Sequence, residues 1–146
     1  MTDLPDINVW LALVDKRHVQ HHVASRYWES QTSDRLAFCR VTALVFLRLS
    51  SHARVFANPL SAQEAWAIYR RFLAIPILRF LAEPAGLDEH FKALTCTPAF
   101  PHRLWTDAYL AAFCLAGNYR LVSFDGDFQR FTALSFLHLA ALPASQ

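Results

Sequence analysis

Three aspartates stand where a carboxylate must either be compensated or perform chemistry. Asp6 follows a short apolar segment and precedes a nearly uncharged stretch, and Asp125 directly follows the apolar run 121–124. Asp107 lies at helical spacing among apolar residues, so it shares one helix face with them. The other members of that face are Leu104, Ala111 and Cys114. A buried carboxylate must be protonated, paired or bound to a metal ion, because desolvating a lone charge costs too much free energy.

Each of these aspartates also has an ordinary structural interpretation. Asp6 can cap a helix, Asp125 can belong to a turn, and Asp107 can lie near the positive end of a helix dipole. Taken singly, these interpretations are favoured, because short acids prefer such positions. Taken together, these structural interpretations become less convincing, because no basic residue adjoins any of the three aspartates and converging anions repel one another. A hard divalent cation, Mg²⁺ or Mn²⁺, would relieve that repulsion with oxygen ligands.

The elements that must position these acids follow from the apolar pattern. A short strand is expected to end at residues 4–6, and further strands are expected at 36–39, 77–81, 121–124 and 135–139. Helices are expected over 7–14, 18–30, from a cap at Thr42 to about 49, from a capping box at Ser61 and Glu64 to about 74, over 87–94 and over 104–116. This order predicts an α/β fold with a largely parallel sheet, whose ligands bind beyond the carboxyl ends of the strands. Because no linker or repeat divides the chain, residues 1–146 are expected to form a single domain.

The composition of the 146-residue chain excludes several classes of protein. Its three glycines are isolated, so neither a G-x-G-x-x-G dinucleotide loop nor a Walker phosphate loop can be built. Its three cysteines contain no C-x-x-C pair, which argues against a disulfide scaffold and a cysteine-rich zinc site. No basic signal-peptide region opens the sequence, and no apolar run approaches the roughly 18 residues of a membrane span. A cytoplasmic protein without a membrane segment is expected.

The net charge of +2 is too small to indicate nucleic-acid binding by itself. Twelve of the fourteen basic residues are arginine, the side chain that binds phosphate and carboxylate groups through two parallel hydrogen bonds. This bias slightly favours a partner that carries phosphate or acidic groups.

Four short segments occur in a fixed order along the chain. They are Pro5-Asp6-Ile7-Asn8, Val41-Thr42-Ala43-Leu44-Val45-Phe46-Leu47-Arg48, Trp105-Thr106-Asp107-Ala108-Tyr109-Leu110 and Val122-Ser123-Phe124-Asp125. In order and spacing they resemble the PIN-domain ribonucleases, in particular the VapC toxins of prokaryotic type II toxin–antitoxin pairs. The resemblance extends over residues 4–131. It implies an α/β/α sandwich and a Mg²⁺-dependent endoribonuclease, with Mn²⁺ as a substitute ion, held inactive in a prokaryotic cytoplasm by a VapB-type antitoxin.

The resemblance also implies roles for individual residues. The positions that match the metal ligands of the family are Asp6, Asp107 and Asp125. The polar residues expected to support them are Asn8, Thr42, Thr106 and Ser123. Asp127 is a candidate auxiliary acid for a second ion, with solvation in a turn as the alternative. Arg48 is a candidate for balancing the charge of the acids, with an exposed helix surface as the alternative. Together with the apolar surplus, the resemblance favours a homodimer.

One position departs from the pattern of the family. Many members carry an acid in the third helix, in a T-E-x-x-F-x-R context, where this chain has Ala43. The number of metal ions, one or two, therefore stays open. The same departure supports an alternative function, a catalytically weakened PIN-like module that binds RNA or a protein partner.

Two further interpretations depend on other residues. A phospho-acceptor domain of the receiver type also gathers acids at strand ends, but it needs a lysine on a late strand. The chain contains only Lys16 and Lys92, and neither falls on an expected strand. His18, His21 and His22 form a cluster without the H-E-x-x-H context of a helical zinc site, so solvated imidazoles are favoured there.

Overall fold

The chain folds into five strands and six α-helices within the residues that the computed structural model describes, 1–30 and 35–141. The strands are β1 (Thr2–Pro5), β2 (Arg35–Cys39), β3 (Leu78–Leu81), β4 (Arg120–Ser123) and β5 (Phe136–His138). The α-helices are α1 (Ile7–Val14), α2 (His21–Ser30), α3 (Arg40–Ser50), α4 (Ala62–Leu73), α5 (Leu87–Thr95) and α6 (Trp105–Gly117). Short 3-10 turns occupy His102–Leu104, Gly126–Arg130 and Leu139–Ala141. Across these ranges no helix is long and apolar enough to cross a bilayer.

The five strands form one parallel sheet in the order β3-β2-β1-β4-β5. The chain moves outward from β1 to β2 and β3, then returns to build β4 and β5 on the other side. The order of the strands therefore reverses between β1 and β4, where Leu4 lies opposite Leu121 and Pro5 opposite Val122. Crevices at the carboxyl ends of such strands are the usual ligand sites of open α/β sheets. The predicted parallel sheet is confirmed.

Helices cover both faces of the sheet because its strands alternate their apolar side chains. On β2, Leu36 and Phe38 pack against one helical layer, while Ala37 and Cys39 pack against the other. The first layer contains α1 to α4 and an aromatic core in which the rings of Trp10 and Phe38 stack with centroids 3.9 Å apart. The second layer contains α5 and α6. The predicted α/β/α sandwich is confirmed.

Two helix starts differ from the sequence-based expectation. The helix α2 begins at His21, three residues late, because the Nδ1 atom of His18 accepts a hydrogen bond from the Gln20 N–H at 3.1 Å in the preceding turn. The predicted cap at Thr42 is wrong, since α3 begins at Arg40 and Cys39 is its N-cap residue. As the third helical residue, Thr42 accepts a hydrogen bond from the Cys39 N–H at 3.0 Å and fixes the direct transition from β2 into the helix.

The helix α6 ends where the sequence predicts, at Gly117 and Asn118. Asn118 adopts the left-handed conformation at φ 55° and its N–H donates to the Cys114 carbonyl. A Cβ atom at Gly117 would lie 2.0 Å from the ring of Tyr119, so only glycine is tolerated without rearrangement. This ending returns the chain directly into β4, at whose far end the candidate site lies.

Candidate active site

Asp6 lies at the junction of β1 and α1, in the middle of the carboxyl edge of the sheet. It is the N-cap residue of α1, and its Oδ1 accepts a hydrogen bond from the Ile7 N–H at 2.7 Å. Its Oδ2 accepts one from the Ser123 hydroxyl at 2.9 Å. Burial raises the pKa of Asp6, the bonds from Ser123 and Ile7 partly oppose that rise, and the charge of Asp125 adds to it. The capping interpretation of Asp6 is therefore satisfied, but the cap is a buried carboxylate with a raised pKa.

Ser123, the last residue of β4, connects the two central strands. Its hydroxyl carries one hydrogen, and the shorter contact is the 2.9 Å bond to Asp6 rather than the 3.4 Å approach to the Asn8 amide oxygen. The Ser123 oxygen in turn accepts hydrogen bonds from the Asn8 side-chain amide at 3.0 Å and from the Asp125 N–H at 2.9 Å. The serine therefore orients one site acid and fixes the backbone of another.

Asp107 is the third residue of α6 and faces the same edge of the sheet. Its side chain is half-buried, and within the described residues it makes neither a hydrogen bond nor an ion pair. Burial, followed by the charges of Asp6, Asp125 and Asp127, raises the pKa of Asp107 to about 6, while Arg103 opposes the rise. The carboxylates from β1, β4 and α6 are thus close enough to repel one another appreciably.

Asp125 and Asp127 flank the turn that follows β4. Asp125 caps the 3-10 turn, and its Oδ1 accepts a hydrogen bond from the Asp127 N–H at 2.8 Å. Asp127 forms an ion pair with Arg103 across 3.1 Å. The predicted turn role of Asp125 is satisfied, yet the exposed carboxylate also lies beside Asp6 and Asp107, as its effect on the pKa of each indicates.

The remaining candidates lie outside this cluster. Thr106 is exposed on α6, and Arg48 is exposed in the last turn of α3; neither side chain hydrogen-bonds an acid in the described part of the chain. Ala43 is fully buried in the core between the sheet and α1, so its methyl group serves packing. The ring of His21 bonds the Ala12 carbonyl at 2.7 Å, which fastens α2 to α1, so this imidazole is engaged by the protein rather than solvated as expected.

The acids do not form a closed metal cage. Within residues 1–30 and 35–141, no three His, Cys, Asp or Glu side chains take up the spacing of a complete ligand set. The arrangement is instead an open group of carboxylates at the edge of the sheet, in which Asp6 is buried and Asp125 is exposed.

Sequence reasoning missed two residues beside the acids. Arg103 lies four positions before Asp107, a spacing that predicts a helical ion pair. The structure instead puts Arg103 in the 3-10 turn ahead of α6 and pairs it with Asp127. His138 on β5 contacts the Phe124 carbonyl through Nε2 at 3.0 Å and lies close over Gly126. This contact fixes the turn that carries Asp125. No local pattern in the sequence predicts it.

Comparison with known proteins agrees with this fold. Residues 4–134 match the PIN domain family. Ribonuclease VapC41 of Mycobacterium tuberculosis is 38% identical over 144 residues, which cover 94% of this chain and 98% of that protein.

Two solved structures share the fold at low identity. The crystal structure of VapC20 from Mycobacterium tuberculosis, a sarcin-ricin loop cleaving toxin, has a TM-score of 0.70 at 19% identity and covers 93% of this chain and 97% of that one. VapBC2 from Rickettsia felis, bound to a DNA fragment from its promoter, has a TM-score of 0.68 at 14% identity, with 94% and 98% covered. Because the family match spans most of the chain and the VapC41 identity exceeds what fold likeness alone implies, this chain belongs to the PIN-domain family and, within it, to the VapC ribonucleases.

Proposed function

We propose that this VapC ribonuclease is the toxin of a type II toxin–antitoxin pair and cleaves RNA phosphodiester bonds with a divalent ion, Mg²⁺ or Mn²⁺. In this proposal the ion is held by Asp6, Asp107 and Asp125. Ser123 and Asn8 support the first of these ligands.

The observation that carries the proposal is the environment of Asp107. Its half-buried carboxylate lacks any protein donor within the described residues, and burial together with the charges of three further carboxylates raises its pKa to about 6. A carboxylate in such surroundings is destabilised in the metal-free protein, because each neighbouring anion disfavours its charged form. A bound cation removes that penalty for all the acids at once.

The donor set fits a hard cation. All the candidate ligands are carboxylate oxygens, and each oxygen of Asp6 accepts one hydrogen bond, so each retains a second lone pair. The open arrangement suits Mg²⁺, which keeps several of its waters and commonly takes only one or two protein carboxylates. Because Ala43 supplies no oxygen, the proposal requires one ion only.

The residues of the chain then have distinct tasks. When bound, the ion supplies an activated water and neutralises charge on the phosphate. Ser123 holds Asp6 in its ligating orientation by donating to Oδ2, while Asn8 fixes Ser123. Asp107, which carries no competing hydrogen bond from the described residues, remains available from the α6 side of the crevice. These contacts pre-order Asp6, whereas the ligand set as a whole must close on the ion when it binds, because no three of the described side chains already have the spacing of a complete set.

The experiment is a cleavage assay of Asp6→Asn and Asp107→Asn with Mg²⁺, with Mn²⁺ and with EDTA. We expect each variant to lose at least about 100-fold in rate, comparable to losses from removing one preorganised charge-stabilising group. Asp88→Asn is the matched control, because Asp88 is an exposed first-turn helix acid outside the site. If either site variant cuts RNA at the parental rate while EDTA also has no effect, the proposal is wrong.

The weakened binding module is retained as the second candidate, because Ala43, at the position where the family resemblance implies an acid, is buried in the core. The two candidate functions differ in whether the bound RNA is cleaved. Binding of RNA without cleavage, at saturating Mg²⁺ and Mn²⁺, would favour the module. Cleavage that EDTA abolishes favours the nuclease.

We also propose that a VapB-type antitoxin binds and silences the toxin and that the toxin forms a homodimer. The VapBC complex of Rickettsia felis, whose fold this chain shares, supports an antitoxin partner. The test is co-expression with the neighbouring reading frame, followed by light scattering of the toxin alone and of the complex. A monomeric toxin that co-purifies with no small partner would contradict both statements.

A further inference from the structure

Arg103 is the one described cation that is bonded to an acid of the site. It lies in the 3-10 turn His102–Leu104, directly ahead of the helix that carries Asp107. Its Nη1 donates to the Asp127 Oδ2 at 3.1 Å. Its charge also reaches Asp107, whose pKa it lowers against the opposing effect of the acids. The Arg103 guanidinium therefore lies at the rim of the carboxylate cluster. The acid that bonds it, Asp127, is not one of the three proposed metal ligands.

The ion pair between Arg103 and Asp127 is exposed to solvent. The side chains remain 61% and 44% exposed, respectively. Exposed pairs of this kind contribute little to stability, since solvent screens them and two side chains lose freedom. Stabilising the fold is therefore a poor explanation for this contact.

The guanidinium retains unused hydrogen-bonding capacity. It has five N–H donors, of which the bond to Asp127 uses one. Within the described residues no second acceptor engages the others. A planar fork of parallel N–H groups matches the oxygens of a phosphate, and arginine binds phosphodiesters in this way. Arg103 can thus keep its contact with Asp127 and bind a phosphate at the same time.

We propose that Arg103 binds a backbone phosphate of the RNA beside the bond that is cut, and that Asp127 orients this arginine rather than holding a metal ion. The inference rests on the proposed ribonuclease function, since it names a substrate contact of the same site. A carboxylate cluster repels the RNA backbone, and a cation held at its rim offsets that repulsion where the strand must approach. Asp127 is then a positioning residue, and Arg103 contacts the substrate.

The experiment measures RNA affinity as a function of salt in an Asp6→Asn background. A fluorescein-labelled single-stranded RNA is titrated by fluorescence anisotropy at fixed Mg²⁺ and increasing KCl. Loss of one phosphate contact lowers the slope of log affinity against log salt by about 0.7 for a single strand. We expect Arg103→Ala to show this decrease and a loss of affinity of about tenfold, equal for unrelated sequences, because phosphate contacts carry no sequence information. A residue that acts only on folding would leave the salt slope unchanged.

Two further variants sharpen the result. Arg103→Lys keeps the positive charge and is expected to retain most of the slope while losing part of the affinity, because lysine cannot form the paired contact. Arg54→Ala is the control, because Arg54 is exposed in the turn after α3, at the opposite edge of the sheet. Its slope and affinity are expected to match those of the Asp6→Asn parent.

The outcomes separate this inference from the proposed function. After each titration the labelled RNA is run on a denaturing gel. Intact RNA with an unchanged slope in Arg103→Ala overturns the assignment of Arg103 and leaves the metal site standing. RNA shortened at the parental rate means that Asp6 is not needed for cleavage, which overturns the metal site; the Arg103 slope is then measured in EDTA, where the same decrease is expected. An equal decrease in Arg54→Ala also overturns the assignment, because the effect is then one of overall charge.

Discussion

The Ser123 hydroxyl donates a 2.9 Å hydrogen bond to Oδ2 of Asp6, joining the ends of β4 and β1 across 117 positions of sequence. Both residues are buried, at 0% and 7% exposure. A donor to the charged form of a carboxylate favours that form, so this bond opposes the effect of burial and lowers the pKa of Asp6. The serine thereby favours the charged form of this buried acid, which is the form that would bind a metal ion in the proposed function.

Ser123→Ala is expected to raise the Mg²⁺ concentration needed for half-maximal cleavage. The pKa of Asp6 rises further without its donor, and metal must then displace a proton from the carboxyl. The loss of an outer hydrogen bond to a ligand typically costs about 10- to 100-fold in metal affinity. The measurement is a Mg²⁺ titration of cleavage at neutral and alkaline pH, and the difference from the parent should shrink at the higher pH.

The control for this substitution is Ser135→Ala, since Ser135 is exposed just before β5. It is expected to have the parental Mg²⁺ requirement at every pH. If Ser123→Ala also keeps the parental requirement, the serine does not tune Asp6 and serves packing alone.

Asp107→Asn is expected to stabilise the metal-free protein at pH 7. Because the folded-state pKa of about 6 lies above the ordinary value of 3.8, the native state binds more protons than the unfolded state between these values. Stability from this group is therefore present below about pH 4 and is lost as the pH rises through about 6. After allowance for solvent screening, the stabilisation at pH 7 is about 1 kcal/mol.

The measurement is urea unfolding in EDTA at pH 7 and pH 4. The gain of Asp107→Asn over the parent should be largest at pH 7 and mostly gone at pH 4, close to the ordinary pKa of 3.8. Asp88→Asn, in the first turn of α5, is the matched control and should show no such gain. A gain that is the same at both pH values would mean that repulsion among the site acids is not its cause.

The predictable and unpredictable parts of this site differ in physical origin. The acids at the ends of β1 and β4 follow from two short apolar runs and the rule that parallel strands end at one edge. The ion pair beside those acids does not follow, because Arg103 and Asp127 are 24 positions apart and belong to turns whose mutual placement depends on the whole second layer. The Thr42 cap failed for a local reason, since β2 continues into α3 without a loop and the cap moves back to Cys39.

Another aspartate, Asp3, shows that burial of an acid does not by itself indicate a metal site. Its Oδ1 and Oδ2 accept hydrogen bonds from the Arg120 guanidinium at 2.9 and 2.8 Å, and the Tyr27 hydroxyl donates to Oδ2 at 2.7 Å. Asp3 is 0% exposed, at the opposite end of β1 from Asp6. Its charge is fully compensated within the protein, whereas that of Asp107 is not.

Asp3→Asn is therefore expected to destabilise the fold without altering the chemistry. Breaking a buried pair costs about 3 to 5 kcal/mol, and the lower end applies because the Arg120 side chain is 31% exposed. Urea unfolding measures the loss, and cleavage is compared at a temperature where the variant remains folded. A parental stability, or a changed Mg²⁺ requirement of the folded variant, would contradict this structural role.

Asp127→Asn distinguishes an orienting acid from a metal ligand. Oδ2 of Asp127 already accepts a hydrogen bond from Arg103. We therefore expect Asp127→Asn to leave the half-saturating Mg²⁺ concentration within about twofold of the parent, as for the loss of an exposed ion pair. Asp125→Asn removes an acid of the proposed ligand set two positions away and should raise that concentration at least about tenfold. The measurement is a Mg²⁺ titration of cleavage on both variants, with RNA concentration held above saturation so that a weakened Arg103 contact does not interfere. A tenfold increase in Asp127→Asn would make Asp127 a ligand and would require a second ion beside the first.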